Sequence, residues 1–307
     1  MHQVKAAAQI VRPTTFVEPI RLRNLLGIDL TLASETLQVT GSFKFRAAYN
    51  VAINIKENRV ITASSGNFGQ AMAYACTLTG KQCSVVMPDN SAKVKVDAVR
   101  EFGGIVELVE TRTTSRAQRV KELTQADPEA YVASAYDDPL VIEGNASLGD
   151  ELATAAFDAV LVPVGGGGLS AGVVSGLRRK GSLTNVFGVE PSIANDASRS
   201  LKSGSIQVWD AEPQTIADGV RTLSIGKHNW EILNNGLEDV LEVSEDAIKR
   251  ALQLLFTHAN LKAEPTGAVS LAGLLEHSQR FKGQRVCCVV SGGNVDPAVF
   301  KQLVFES

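Results

Sequence analysis

Apolar and polar positions along this chain follow two periods, one near two residues and one near 3.6, that replace each other repeatedly. Val60-Ile61-Thr62-Ala63 is a short apolar run ended by Ser64-Ser65-Gly66-Asn67, and helical spacing then continues to Leu78, closed by Gly80. Cys83 to Met87, stopped by Pro88, reads as a strand, and Ala92 to Phe102, stopped by Gly103-Gly104, as a helix. Ile105 to Val109 reads as a strand, Thr114 to Gln125 as a helix, and Tyr131-Val132-Ala133 as a fourth short strand. Such alternation predicts parallel sheet with crossover helices. Ahead of it, the pattern predicts a short N-terminal helix, an extended connection marked by Pro13 and Pro19, and a strand from Asp29 to Glu35.

Ala135-Tyr136-Asp137-Asp138-Pro139 breaks the alternation, and a longer helix is predicted to about Ala153. A second alternating block opens with Ala159 to Val164, apolar throughout and suited to a strand covered on both faces. Gly165 to Gly168 follow, then a helix from Leu169 to Lys180 and a strand from Val186 to Val189 ending at Glu190-Pro191. Ser203 to Asn229 is the least regular stretch. Val240 to Val243 reads as a strand, and Ser244 is a good N-cap for a helix from Glu245 to Ala259. Ile248, Ala251, Leu252 and Leu255 fall on one face of that helix. A helix after Glu264-Pro265-Thr266-Gly267 runs to about His277, and a last strand, Val286 to Val290, delivers Ser291-Gly292-Gly293-Asn294. The expected architecture is two-lobed α/β, each lobe an open, mostly parallel sheet flanked by helices. The small lobe is expected at 48–133, and the large lobe at 1–47 and 134–307.

Composition removes some partners. Among 307 residues, Lys+Arg 30 against Asp+Glu 33 leaves a net charge of −3 with no long run of either sign. Nucleic acid and anionic membrane are therefore not expected as partners. No apolar stretch approaches the ~18 residues of a membrane span, and no apolar signal core follows Met1-His2-Gln3-Val4-Lys5. Cys76, Cys83, Cys287 and Cys288 show no C-x-x-C spacing. Reduced, buried thiols and a cytoplasmic location are the expectation, with Cys287 and Cys288 on opposite faces of one strand.

Chemistry concentrates at glycine-bearing turns. Lys44 sits between Phe43 and Phe45 after Gly41-Ser42, just before a helix. A lysine pressed into apolar surroundings has a lowered pKa and becomes a usable amine nucleophile, although many such lysines are surface residues with buried stems. Gly165 to Gly168 at a strand-to-helix junction form an anion cradle, because backbone N–H groups can approach a phosphate without obstruction. Gly166, Gly168 and Ala171 also fit the dinucleotide pattern G-x-G-x-x-A, with Glu190 nineteen residues beyond Ala171. An NAD-dependent oxidoreductase is thus a rival, but it leaves Lys44, Ser64 to Asn67 and Ser291 to Asn294 without a task. A phosphorylated cofactor that also needs an amine, pyridoxal 5'-phosphate, gives all of them one.

With those motifs in order, the chain resembles the fold-type II pyridoxal phosphate enzymes, whose architecture is that of the tryptophan synthase β subunit. The branch it resembles is that of threonine dehydratases (threonine ammonia-lyases) and serine racemases. The matching stretches are Gly41-Ser42-Phe43-Lys44, Ser64-Ser65-Gly66-Asn67, Asp137-Asp138-Pro139, Gly165 to Leu169, Glu264 to Gly267 and Ser291 to Asn294. The resemblance implies that Lys44 carries the cofactor aldehyde and then shuttles protons. Phe43 would lie beside the ring, Asn67 would bond its phenolate oxygen, and Ser291 would face its nitrogen. Gly165, Gly166, Gly167, Gly168 and Leu169 would hold the phosphate, with Glu264 also at the cofactor. Ser64, Ser65, Gly66 and Asn67 would grip the substrate carboxylate. Glu190, Ala194 and Asp196 match the spacing of a divalent-cation site in serine racemase-like enzymes, for which oxygen ligands suit Mg²⁺ or Ca²⁺.

A serine at the ring nitrogen leaves that nitrogen largely neutral, and this weaker electron sink favours β-elimination over transamination. L-threonine or L-serine is the implied substrate, giving a 2-oxo acid and ammonia, and a homodimer is the implied assembly. Racemisation through Lys44 and Ser65, and β-replacement as in cysteine synthases, are the alternatives within the fold. Three positions depart from the family pattern. Phe68 stands where many relatives carry histidine, Ser65 where threonine dehydratases often have alanine, and Glu143-Gly144-Asn145 lacks the usual Gly-Gln pairing.

Overall fold

Strand β1 (Thr15–Val17) pairs antiparallel with β2 (Asp29–Ser34), and helix α1 (Ile20–Leu26) links them, stopped by Gly27 at φ 66°. These coordinates are a computed structural model that describes residues 10–91 and 93–306. The expected N-terminal helix falls outside the described residues, apart from its last positions. The connection from Pro13 to Pro19 is extended as expected, with β1 inside it, and Pro19 at its end is the N-cap of α1.

Helix α2 (Lys44–Asn54) then leads to β3 (Arg59–Ala63), α3 (Asn67–Leu78), β4 (Gln82–Pro88), α4 (Lys93–Glu101), β5 (Ile105–Val109), α5 (Arg116–Ala126) and β6 (Tyr131–Ala133). The four strands form one parallel sheet in the order β5-β4-β3-β6. Position 48 lies within α2, so this helix runs across the expected lobe limit.

The chain returns through α6 (Pro139–Leu152), which begins with Pro139 at N1 and the Asp138 carboxylate accepting from the Leu140 N–H. It continues as β7 (Ala159–Pro163), α7 (Gly168–Arg179), β8 (Asn185–Pro191), α8 (Asp196–Ser203), α9 (Lys227–Gly236) and β9 (Asp239–Val243). Helices α10 (Glu245–Ala259) and α11 (Pro265–Glu276), strand β10 (Arg285–Val290) and helix α12 (Pro297–Phe305) complete it. The Ser244 hydroxyl accepts from the Ala247 N–H, as its N-cap position predicts. Helices α1, α8, α9 and α12 and strand β1 have no counterpart in the hydrophobic pattern.

The larger sheet has the order β1-β2-β10-β7-β8-β9, parallel except at β1. Strand β7 is buried on both faces. Ala159 and Leu161 join the core under α10 and α11, whereas Val160 and Val162 join the core under α6 and α7. Cys288 and Cys287 divide between the same two cores, on opposite faces as expected. A third core fills the smaller sheet's helix-covered side, around Phe45, Phe68, Met72 and Val85. Among the described residues, no helix is long and apolar enough to cross a membrane.

Topology sets the position of the site. Strand β10 inserts between β2 and β7, so the loop after it meets the turn before α2. Ser42 and Gly292 form a β-bridge there, and the Phe43 N–H donates to the Ser291 carbonyl at 3.0 Å. The start of α2, with Lys44 its first residue, is thereby fixed beside the end of β10. Two residues on, the buried Arg46 guanidinium donates to Glu35 at 2.8 Å, to Glu151 at 2.8 Å and to the Thr14 hydroxyl at 2.9 Å.

Candidate active site

The first turn of α2, the glycine turn after β7 and the end of β10 enclose a cavity of about 410 Å³, measured out to its open mouth. Phe43, Lys44, Gly165 to Gly168, Leu169 and Ser291 line it, which brings together most of the cofactor residues expected from sequence. The Lys44 ammonium donates to the Ala135 carbonyl at 2.6 Å. It also lies 5.0 Å from the centre of the Phe43 ring and 5.6 Å from that of Phe68. Burial pulls its pKa down to about 8, against the opposing charge of Glu264. An amine in that range is partly neutral near pH 7, as a nucleophile or base needs to be.

The glycine turn is narrow for a physical reason. A Cβ at Gly166 would overlap the Tyr136 ring, and one at Gly168 would approach the Tyr136 carbonyl to 2.7 Å. At Gly165 it would meet Val220, and Gly167 adopts φ 90°, a region L side chains avoid. The turn opens α7, so unpaired N–H groups and the positive end of the helix dipole face whatever it holds. Across the cavity the Ser291 hydroxyl is buried with no hydrogen-bond partner among the described residues. A backbone cradle, a depressed amine and an unpaired hydroxyl are the three contacts that a phosphorylated pyridine aldehyde requires, so the residues present fit pyridoxal 5'-phosphate.

Asn67 and Glu264 sit outside the cavity wall but are joined to it. The Asn67 amide donates to Glu264 at 2.8 Å, and its carbonyl oxygen accepts from Asn294 at 2.9 Å. Burial, helped by the charge of Asp218, pushes the Glu264 carboxyl up to about 8, although the Asn67 hydrogen bond pulls the other way. In the loop before α3, the Ser64 hydroxyl accepts from the Gly69 N–H at 3.1 Å and the Gly66 N–H at 3.4 Å. Ser64 therefore has a turn-forming role that its sequence position did not suggest. Ser65, its neighbour, makes no side-chain hydrogen bond among the described residues.

Two expectations lose ground at Glu190. Its carboxylate is buried and accepts the N–H groups of Ser198 at 2.7 Å and Ala197 at 3.1 Å, at the first turn of α8. Both oxygens face that helix end, so the acid a dinucleotide ribose would need is turned away, and the nicotinamide reading of Gly166, Gly168 and Ala171 fails. The divalent-cation expectation for Glu190, Ala194 and Asp196 finds no support either. Burial raises the Glu190 pKa well above the usual carboxylate range and that of Asp196 to about 6. Among the described residues, no group of three or more His, Cys, Asp or Glu side chains could hold a metal.

Sequence reasoning missed most of the far wall, although Thr266 lies within the quoted Glu264-to-Gly267 motif. Tyr136, Gly219, Val220, Thr222 and Thr266 line the cavity, and the Thr222 hydroxyl is buried without a partner among the described residues. Gly219 to Thr222 come from the stretch with no readable periodicity, where the only usable signal was its lack of regular structure. Tyr136 lay beside the quoted Asp137-Asp138-Pro139 motif.

Comparison with known proteins agrees with this geometry. The chain is 35% identical over 301 residues to a beta-hydroxyaspartate dehydratase of Paracoccus denitrificans (strain Pd 1222), covering 95% of each chain. It is 36% identical over 287 residues to the serine racemase of Homo sapiens, covering 90% of this chain and 84% of that one. Among solved structures, a threonine deaminase from T.th. superposes with a TM-score of 0.88 at 38% identity, covering 96% of this chain and 98% of that one. The family model described as "Pyridoxal-phosphate dependent enzyme" matches residues 7–292, and the chain belongs to that family.

Proposed function

We propose that this protein catalyses β-elimination of a small 3-hydroxy amino acid, releasing ammonia and a 2-oxo acid. L-threonine and L-serine are the first substrates to consider. 3-Hydroxyaspartate joins them because it is named in relatives of comparable identity. The observation that carries the reading is the amine of Lys44, with its pKa lowered to about 8, set in one cavity with the glycine turn and the unpaired Ser291 hydroxyl.

When bound, pyridoxal 5'-phosphate supplies an aldehyde that captures a primary amine and a ring that accepts electron density from the substrate's Cα. Lys44 would hold that aldehyde, and its Nζ would take the Cα proton. The N–H groups of Gly165 to Leu169 would hold the phosphate end. Phe43 would lie beside the ring, the Asn67 amide would bond its phenolate oxygen with Glu264 orienting that amide, and the neutral Ser291 hydroxyl would meet its nitrogen. Ser64, Ser65, Gly66 and Asn67 bind the substrate carboxylate. Segment 48–133 acts as the small lobe and segments 1–47 and 134–307 as the large lobe, and together they exclude water from this contact.

Loaded protein incubated with the three substrates should release 2-oxo acid and ammonia in equal amounts from at least one. No 2-oxo acid from any of them would overturn the reading. Racemisation through Lys44 and Ser65 is a second reading, supported by the serine racemases among the relatives. In that case Ser65→Ala lowers isomer interconversion by roughly 10²-fold or more while sparing elimination, and equal loss of both counts against it.

A further inference from the structure

Two buried asparagines outside the cavity wall grip the glycine turn from behind. The Asn229 amide donates to the Gly166 carbonyl at 2.6 Å and to the Tyr136 carbonyl at 3.1 Å. The Asn145 amide, on α6, donates to the Gly168 carbonyl at 3.0 Å. The Gly226 N–H adds a third bond, to the Gly166 carbonyl at 3.0 Å, and the Gly167 carbonyl is held by the Ala171 N–H at 2.8 Å. Both asparagines are fully buried, and neither side-chain oxygen has a partner among the described residues. Both amides spend their donors on backbone carbonyls of the turn.

What the donors do follows from peptide geometry. A trans peptide points its C=O and the next residue's N–H in opposite directions, and the described residues contain no cis bond. Drawing the Gly166 carbonyl toward Asn229 aims the Gly167 N–H the other way, and drawing the Gly168 carbonyl toward Asn145 does the same for Leu169. Gly167 and Leu169 both line the cavity. Glycines alone could not hold these planes, because they have more backbone freedom than any other residue.

We propose that Asn145 and Asn229 are positioning residues that lock alternate peptide planes of the tetraglycine turn, so that it selects the phosphorylated form of the cofactor. This rests on the reading of that turn as the phosphate site.

The test compares equilibrium binding of pyridoxal 5'-phosphate and of pyridoxal to the full-length protein, read by absorbance. The intact protein should prefer the phosphorylated form by roughly 100-fold or more, the worth of two charge-assisted hydrogen bonds. Asn229→Leu and Asn145→Leu nearly keep the shape and remove the donor without adding a charge. Each should weaken binding of the phosphorylated form about ten-fold or more and leave pyridoxal binding unchanged. Asn229→Ala and calorimetric titration with inorganic phosphate provide a second route if a leucine variant does not fold, with the same loss expected. Equal weakening of both forms, or of neither, overturns the positioning role. Equal binding of both forms by the intact protein instead overturns the phosphate assignment of the turn.

Discussion

The side-chain amide of Asn67 donates to the carboxyl of Glu264 at 2.8 Å, across 197 residues of chain, and joins the first residue of α3 to the N-cap of α11. That carboxyl sits near Lys44, and burial moves the two groups toward each other, Glu264 up to about 8 and Lys44 down to about 8. Between about pH 4.5 and 8 the folded chain keeps a proton on Glu264 that the unfolded chain has lost, so stability falls as pH rises. Between about 8 and 10.5 the unfolded chain keeps a proton on Lys44 that the folded chain has lost, so stability rises again. Cofactor-free protein should therefore show a stability minimum near pH 8. Glu264→Gln preserves the bond to Asn67 and should flatten the falling limb. Urea unfolding from pH 5 to 10 checks this, and an unchanged limb in the variant would show that Glu264 does not titrate as stated.

Lys44 makes a sharper prediction. Lys44→Ala removes both the covalent tie to the cofactor and the base at the substrate's Cα, and elimination should fall by roughly 10²–10⁴-fold from loss of the base alone. Borohydride treatment of the loaded protein, followed by mass analysis of the peptide carrying residue 44, should show the cofactor mass in the parent and none in the variant. A label found on another lysine would move the site.

How much of this was legible in sequence depended on where each feature's information lies. β7 announced itself because a strand covered on both faces must be apolar throughout, and Ala159 to Pro163 are all buried. The glycine turn was legible because the chemistry is in the backbone and any Cβ would obstruct it. Short pieces were not. β1 has three residues, α1 hides behind a proline that resembles a breaker, and α12 sits past the last motif. Thr222 and Asn229 reach the site from a stretch held by tertiary contacts, where no local period exists to be read. Glu190 shows the opposite case. Its place at a strand end was clear, but the N–H groups of the first turn of α8 take up both of its oxygens.

Arg46 is the buried charge that supports the start of α2. Its side chain and that of Glu35 have almost no exposed surface, whereas Glu151 remains partly open to solvent. Arg46→Leu leaves Glu35 buried and unpaired, and should destabilise the fold by about 3–5 kcal/mol. Glu151→Gln should cost less, since solvent can replace part of what is lost. The double change Arg46→Met with Glu35→Leu should recover much of the loss, because the one charge then left without its partner, Glu151, is partly open to solvent. Urea unfolding with the cofactor bound measures all three, and a double variant no more stable than Arg46→Leu would refute the pairing argument.

Two glycines separate binding from stability. A Cβ at Gly166 collides with the Tyr136 ring, the side of a residue that lines the cavity and can shift. A Cβ at Gly176 collides with the Ala146 carbonyl, backbone of α6 where that helix packs closely on α7. Gly176→Ala should therefore force the helices apart and cost about 1–3 kcal/mol of stability, with cofactor affinity little changed. Gly166→Ala should do the reverse, loosening cofactor binding about ten-fold or more while the unfolding midpoint of the cofactor-free protein moves little. Adding Tyr136→Ala to Gly166→Ala removes the obstructing ring and should restore part of the affinity, which a general distortion of the turn would not allow. Parallel cofactor titrations and thermal unfolding of the three variants decide the matter, and matched losses of affinity and stability at both glycines would remove the distinction.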